Sequence, residues 1–232
     1  MDYKILDYAC STQETGPEYP QVQKMGKDYN YHSPDSIYEV ARHTTELPAI
    51  APNLDHFVLH RRAKATDLIS NTLTRTTGFI TSDRFKKLLK PFNLPAHKFY
   101  HAKILHGKTL LEDYYWLQIV PDLSSFVDYS RSKFFIKNMA DVISGELEAI
   151  KLLSKKDYEV RQMELRSKDS NLAIWAKSIV MNDAFDNGLD LFKVSRFNSD
   201  FFISDRLSQA IKKACLTGIA IKPAELLDVA RS

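Results

Sequence analysis

Residues 79–84 read Phe79-Ile80-Thr81-Ser82-Asp83-Arg84, and the pattern returns half a chain later as Phe201-Phe202-Ile203-Ser204-Asp205-Arg206. The two copies align without a gap over residues 79–102 and 201–224, with seven identities in 24 positions. Average composition would give about one or two identities over this length. Each copy predicts a strand end followed by a helix, because Ser is a favoured N-cap and an acid in the first turn complements the helix dipole. We therefore assign Ser82, Asp83, Ser204 and Asp205 a structural role as helix caps.

Apolar residues follow both caps at helical spacing and predict one buried face on each helix. Pro91 should end the first helix early, because it lacks a backbone donor and restricts Lys90. A new strand should begin near His97 in the first copy and near Ile219 in the second. Two strand–helix–strand units this far apart favour a duplicated globular fold over a solenoid. The expected class is α+β, with a mixed, largely antiparallel sheet and two pseudo-repeated strand–helix–strand units.

The rest of the chain divides at about residue 54. A strand is predicted at residues 3–8, and residues 11–52 contain five prolines, which predicts loops and short elements. Asn187-Gly188 is typical of a hairpin turn. We therefore expect a loop-rich N-terminal region, residues 1–54, packed on a duplicated domain, residues 55–232. Within that domain the patterns predict strands at 56–60, 111–120, 175–181 and 189–194, and a helix at 154–166 capped by Ser154.

Composition indicates an ordinary globular protein, with 44% hydrophobic and 26% charged residues. No stretch approaches the roughly 20 apolar residues that cross a membrane. The opening residues carry an acid where a secretory signal has a basic end and an apolar run. Two cysteines, Cys10 and Cys215, give no disulfide framework, which favours the reducing cytoplasm.

The usual motifs of enzymes and metalloproteins are missing from the sequence. It holds no phosphate-binding glycine loop and no C-x-x-C pair, and His56 and His60 lack the glutamate of a zincin helix. We expect no metal, no cofactor and no catalytic residue. One alternative remains open, a small hydrolase that uses His97 or His101 with a nearby carboxylate.

Charge is distributed unevenly along the chain. Residues 1–56 hold four basic and nine acidic side chains, whereas residues 57–140 hold fourteen basic and six acidic. A solvated surface is the simplest interpretation of this asymmetry. A second alternative is a nucleic-acid-binding module that uses the basic residues 61–137, which would need its cations on one face with aromatics between them.

Several tracts in a fixed order resemble an immunity-protein family of bacterial polymorphic toxin systems, the eleventh such family, formerly a domain of unknown function. The resemblance covers about residues 55–228, and the proline-spaced region 11–52 matches nothing in it. It implies a protein that binds and blocks a cognate toxin of a contact-dependent or type VI secretion effector, and it supplies no catalytic residues. The tracts are residues 79–89, Asn93-Leu94-Pro95, Phe99-Tyr100, residues 114–120, residues 127–132, Leu191-Phe192-Lys193 and residues 203–218.

The N-terminal region is rich in tyrosine as well as acidic, with six of the eleven tyrosines among the first 38 residues. Tyrosine gives a large contact area with few torsions to order, and it is enriched at interfaces. We therefore expect the toxin to contact this region, whose charge would complement a basic cleft. The alternative is a loop that packs its tyrosines on the sheet. The predicted partner-binding residues are Glu14, Glu18, Tyr19, Asp28, Tyr29, Tyr31 and Asp35.

Overall fold

The computed structural model describes residues 2–40, 46–73, 78–120, 122–141, 146–194 and 197–229. These residues form an α+β fold with mixed and antiparallel sheets. The elements in chain order are β1 (Tyr3–Tyr8), α1 (Thr12–Thr15), β2 (Val22–Met25), α2 (Ile37–Val40), β3 (Phe57–Leu59), β4 (Leu68–Ile69), β5 (Gly78–Ser82), α3 (Asp83–Leu89), β6 (His97–His106), β7 (Thr109–Ile119), a 3-10 turn (Leu123–Phe126), β8 (Lys133–Asn138), β9 (Glu146–Ile150), α4 (Lys155–Lys168), β10 (Leu172–Val180), β11 (Leu191–Phe192), β12 (Phe201–Ser204), α5 (Asp205–Lys213), β13 (Ile219–Pro223) and β14 (Leu227–Asp228).

Both repeated segments form a strand, a helix and a strand. The Ser82 hydroxyl accepts the backbone N–H of Phe85 at the start of α3, and the Ser204 hydroxyl accepts that of Leu207 at the start of α5. Helix α3 spans seven residues and α5 nine, and the difference follows from Pro91, which cannot continue a helix. The next strands begin at His97 and Ile219.

The correspondence extends to the strands around each helix. The first unit has the strand order β4-β5-β7-β6 and the second has β11-β12-β1-β13. Ser82 lies opposite Tyr114 of β7, and Ser204 lies opposite Tyr3 of β1. Strand β1 therefore occupies in the second unit the place that β7 occupies in the first, although it precedes both units in the chain. That the units arose by duplication stays a prediction.

A buried aspartate stands at the same point of each unit. Asp190 is fully buried, and it accepts hydrogen bonds from the Ser204 hydroxyl at 2.6 Å and from Arg206. Asp190 also accepts the backbone N–H of Asn93, which lies in the loop after α3 of the other unit. Burial opposes ionisation, but these three donors together hold the pKa of Asp190 below its usual range.

Asp67 repeats this arrangement in the first unit. It accepts hydrogen bonds from the Ser82 hydroxyl at 2.6 Å and from Arg84 at 3.1 Å. The loop after α5 supplies the third partner, because the backbone N–H and the hydroxyl of Thr217 both donate to Asp67. Gly218 follows with φ +80°, and a Cβ there would lie 2.1 Å from the carbonyl oxygen of Leu68. Each aspartate is therefore bound by a serine and an arginine of its own unit and by a loop of the other unit.

The two units share one hydrophobic core between them. Phe79 and Phe201, at equivalent positions, meet with ring centroids 4.3 Å apart. The other buried residues of this core except Ile203 also come in equivalent pairs, so the contact resembles an isologous dimer interface within one chain. These pairs are Leu6 and Leu117, Tyr8 and Ile119, Leu68 and Leu191, Phe85 and Leu207, and Leu89 and Ile211.

The opposite face of each unit is covered by a different segment. In the first unit a bridge between Val22 and Asn71 joins the two edges of the sheet β2-β3-β6-β7-β5-β4, which closes it into a small barrel. The barrel encloses Trp116, Ile80 and Phe57, and the same core includes Tyr29, Ile37, Val40 and Leu54. In the second unit the sheet β14-β10-β8-β9 and helix α4 provide the cover.

One expectation from the sequence needs correction. Asn187-Gly188 does not close a hairpin, because β10 pairs with β8 and β14 whereas β11 pairs with β12. Its Gly188 N–H donates to the Asp186 side chain, and the loop leads the chain to Asp190. The strands of the described residues form three sheets of mixed and antiparallel type, which agrees with the expected α+β class. Strand β1 pairs with β12 and β13 of the second unit, and the division of the chain at residue 54 stays a prediction.

Truncation of Leu89 should test the shared core. Leu89 is 3% exposed, so Leu89→Ala should lower the free energy of unfolding by about 2 to 5 kcal/mol, as core truncations do. Leu153→Ala makes the same change where the side chain is 69% exposed, and it should cost below about 0.5 kcal/mol. Urea unfolding measures both. Equal costs for the two variants would contradict the placement of Leu89.

Substitution of Asp190 should give a pH-dependent loss of stability. Asp190→Asn removes the charge that Arg206 and two further donors bind, and it should cost about 3 kcal/mol at neutral pH. The pKa of Asp190 is lowered by folding, so its stabilisation is present above the ordinary carboxyl pKa and is lost as the pH falls through the folded value. The difference between parent and variant should therefore shrink in acid. A difference that stays constant from neutral pH to acid would contradict the role of the charge.

Candidate partner-binding surface

Tyr29 anchors the tyrosine-rich region to the barrel. It is only 7% exposed, and its hydroxyl accepts the backbone N–H of Ile37 at the start of α2. Burial is the main cause that raises the pKa of Tyr29, so the phenol stays protonated. The centroid of its ring lies 5.0 Å from that of Tyr31, in an edge-on arrangement, and 5.5 Å from that of His56. Tyr29 therefore lies beneath the exposed side chains of this region and supports them, and its contact with a partner stays a prediction.

Tyr31 and Tyr38 stand above Tyr29 and face solvent. They are 39% and 55% exposed, and their rings meet edge-on at 6.4 Å. The Tyr31 hydroxyl accepts the N–H of Met25, which fixes the ring against β2. We call the surface formed by Tyr31, Tyr38 and the adjacent acids Asp28, Asp35 and Glu39 the tyrosine ridge.

Hydrogen bonds within the loop order the acids of the tyrosine ridge. Asp35 accepts the Ser33 hydroxyl, and its carbonyl accepts the N–H of Asn53 at 2.7 Å. Of the twelve exposed large hydrophobic side chains among the described residues, four lie between residues 31 and 50: Tyr31, Tyr38, Leu47 and Ile50. Exposed aromatic side chains that contact each other beside acidic residues, as Tyr31 and Tyr38 do, are typical of a protein-binding surface.

The other predicted contact residues lie elsewhere. Glu14 accepts the backbone N–H of Gly218 from the second unit, and Glu18 forms an ion pair with Arg62. Both carboxylates are therefore engaged within the protein and contribute little to a negative patch. Tyr19 is 47% exposed and lies near Lys222 of β13. The structure therefore places Glu14, Glu18 and Tyr19 beside Gly218, Arg62 and Lys222 respectively, and their role in toxin binding stays a prediction.

The histidines proposed for a hydrolase make other contacts. His97 Nδ1 lies 2.8 Å from the carbonyl oxygen of Pro95, and His101 Nε2 lies 2.7 Å from that of Glu112. A general base of the triad type is oriented by a carboxylate, and a backbone carbonyl does not supply that charge. No group of three or more His, Cys, Asp or Glu side chains in the described residues could hold a metal ion.

One lysine has the lowered pKa that a catalytic amine would need. Burial lowers the pKa of Lys193 to about 8, although the charge of Asp200 opposes the shift. Its ammonium lies 5.5 Å from the centre of the Phe201 ring. The cavity beside Asp200 and Phe201 has a volume of about 40 Å³, which suits a water molecule and not a substrate. The cation–π contact makes Lys193 part of the packing.

Several of the basic side chains in residues 61–137 make local contacts. Arg84 pairs with Asp67, Lys87 with Asp83 and Lys103 with Asp55. Lys86 lies 3.4 Å above the ring of Tyr115. Phosphate binding needs cations that can exchange their counterions for nucleic acid, and internal ion pairs reduce that capacity.

Comparison with known proteins places the chain in a family. A family model described as the Immunity protein family (Imm11) matches residues 10–225. The chain belongs to the Imm11 family. The match includes residues 11–52, which had no counterpart in the resemblance, so the tyrosine-rich region is part of the family's domain. A search of curated proteins found no match. In this Imm11 protein no helix of the described residues is long and apolar enough to cross a membrane.

Two substitutions in the Imm11 chain should distinguish the buried tyrosine that supports the loop from an exposed tyrosine at its surface. Tyr29→Ala removes a buried ring and should lower the free energy of unfolding by about 3 kcal/mol. Tyr38→Ala removes a ring that is 55% exposed and should cost below about 1 kcal/mol. Urea unfolding followed by circular dichroism gives both values. A larger loss for Tyr38→Ala than for Tyr29→Ala would contradict the arrangement.

Proposed function

We propose that this protein is a cytoplasmic immunity protein that binds a cognate secreted toxin and neutralises it without chemistry of its own. The toxin is the effector of a contact-dependent or type VI secretion system in a polymorphic toxin system. The observation that carries the proposal is the Imm11 match over residues 10–225. The two free, exposed cysteines agree with a reducing compartment. Neither a membrane nor a nucleic acid is expected as a partner.

The tyrosine ridge is the surface that we assign to the toxin. Tyr31 and Tyr38 present rigid rings whose position is fixed by Tyr29 and Met25, so little conformational entropy is lost on binding. Their acidic neighbours favour a basic partner and faster association with it. A toxin that acts on nucleic acid or nucleotides has such a basic cleft. Tyr29 supports this surface from below, and Glu14 and Glu18 stabilise the region behind it.

The test of neutralisation uses the toxin domain encoded by the gene next to this one. Co-expression of that domain with the parent protein should rescue growth, and the two purified proteins should form a stable complex. Absence of both rescue and binding would overturn the proposal. Turnover of a nucleotide or an ester by the purified protein alone, or bound zinc in elemental analysis, would overturn its non-enzymatic part.

The double variant Tyr31→Ala/Tyr38→Ala tests the assigned surface. Loss of two aromatic anchors should weaken toxin binding by about 2 to 4 kcal/mol, measured by titration calorimetry. Met163→Ala on α4 is the matched control, because that side chain is also large, apolar and exposed, and binding should not change. If the double variant is folded and binds like the parent, the contact lies elsewhere.

A further inference from the structure

A row of side chains crosses four strands on the outside of the barrel. Lys24 of β2 lies opposite Val58 of β3, Val58 lies opposite Leu105 of β6, and Leu105 lies opposite Leu110 of β7. Residues paired across strands point to the same face of a sheet. The neighbours of Val58 along β3 are buried in the barrel interior, so the row faces outward. We call these four residues the outer row.

The outer row exposes apolar surface that no described segment covers. Leu105 is 42% exposed and Leu110 is 47% exposed. The turn between them is tight, because Gly107 adopts the positive φ of +63° that a two-residue hairpin needs. Large apolar side chains are costly to leave in water, and a cluster of them on a rigid sheet is typical of a binding surface.

A pocket adjoins this apolar surface. It has a volume of about 380 Å³, and Val58 and Leu105 form part of its wall. That volume lies at the small end of protein binding pockets and admits a large side chain of a partner. The other lining residues are Gln23, Lys24, Leu59, His60, Arg61 and Gly107.

The charge around the pocket has one sign. Lys24 and Arg61 line it together with His60, and none of its eight lining residues is acidic. The neighbouring cation Arg62 is paired with Glu18. In the part of the chain that the structure describes, neither Lys24 nor Arg61 forms an ion pair with an acid. The pocket therefore offers positive charge that a partner's carboxylates would satisfy.

We infer that the outer row and its pocket form a second docking surface, for an acidic segment of the toxin that carries a large apolar side chain. The apolar side chain enters between Val58 and Leu105, and the carboxylates meet Lys24 and Arg61. The inference rests on the proposed function. It adds that the toxin presents charge of both signs, basic groups to the tyrosine ridge and acidic groups to the outer row, which would fix its orientation.

Two variants test this surface with the neighbouring-gene toxin domain as the probe. Lys24→Glu/Arg61→Glu reverses the charge, and Leu105→Ser/Leu110→Ser removes the apolar contact. Each should weaken binding at least tenfold, and the charge variant should lose most of its difference from the parent in high salt. The matched controls are Lys151→Glu and Leu153→Ser, both at exposed positions away from the barrel, and they should bind within twofold of the parent.

The outcomes separate this inference from the proposed function. If the parent binds the toxin and both outer-row variants, shown to be folded by urea unfolding, bind within twofold, the surface is wrong and the function stands. If the parent does not bind the toxin, both the proposed function and this inference are wrong. Another outcome, measured by sedimentation, is that the parent self-associates and the leucine variant does not, while toxin binding is unchanged. That result would show that a second copy of this chain occupies the surface. A charge variant that loses only binding to a single-stranded RNA oligonucleotide would show a nucleic acid there. Either of these results overturns the inference.

Discussion

Two buried carboxylates determine how the halves of this protein fit together. Asp190 and Asp67 each satisfy their charge with a serine and an arginine from their own unit and with a loop from the other. A charge buried without enough partners costs several kcal/mol, so the loop from the other unit completes the set of donors that each buried aspartate requires. The aromatic and aliphatic core between the units supplies the larger hydrophobic stabilisation. The carboxylates specify the register in which that core forms.

This arrangement explains why the repeated Ser-Asp-Arg tract is structural although it has the residue types of an active site. The hydroxyl of Ser82 donates to Asp67 while it accepts the N–H of Phe85, so both of its hydrogen-bonding capacities are used. Arg84 binds the same aspartate and the carbonyl of Ala214. With both units built in this way, the contact between them serves for support, and the surfaces that we propose for a partner lie on the barrel and on the N-terminal loop.

Much of the fold follows from local patterns, and the remainder depends on distant contacts. The caps at Ser82, Ser204 and Ser154 and the strand at residues 3–8 were predictable, because each rests on a few adjacent residues. The strands that pair with β1 could not be predicted, because its pairing with β12 and β13 depends on a register that no local sequence pattern encodes. Asp67 and Asp190 were missed as well. The sequence signal for them was the pair Asp67-Leu68 upstream of the first repeated tract and the pair Asp190-Leu191 upstream of the second. An alignment that starts at residue 79 leaves out both pairs.

Among the candidate contact residues, Tyr29 and Tyr31 have the same residue type and differ in burial because the loop turns between them. The outer row combines residues from four strands and could be recognised only in three dimensions.

The position of β1 has a consequence for the order in which the protein becomes functional during synthesis. Strand β1 leaves the ribosome before the other elements described here, yet both of its neighbours in the sheet, β12 and β13, are among the last. The first unit can close its sheet while translation continues, whereas the second must wait with an unpaired strand. Glu14 and the loop at Gly218 are joined only at the same late step. A nascent chain would therefore form the barrel and its outer row before the sheet of the second unit can assemble around β1.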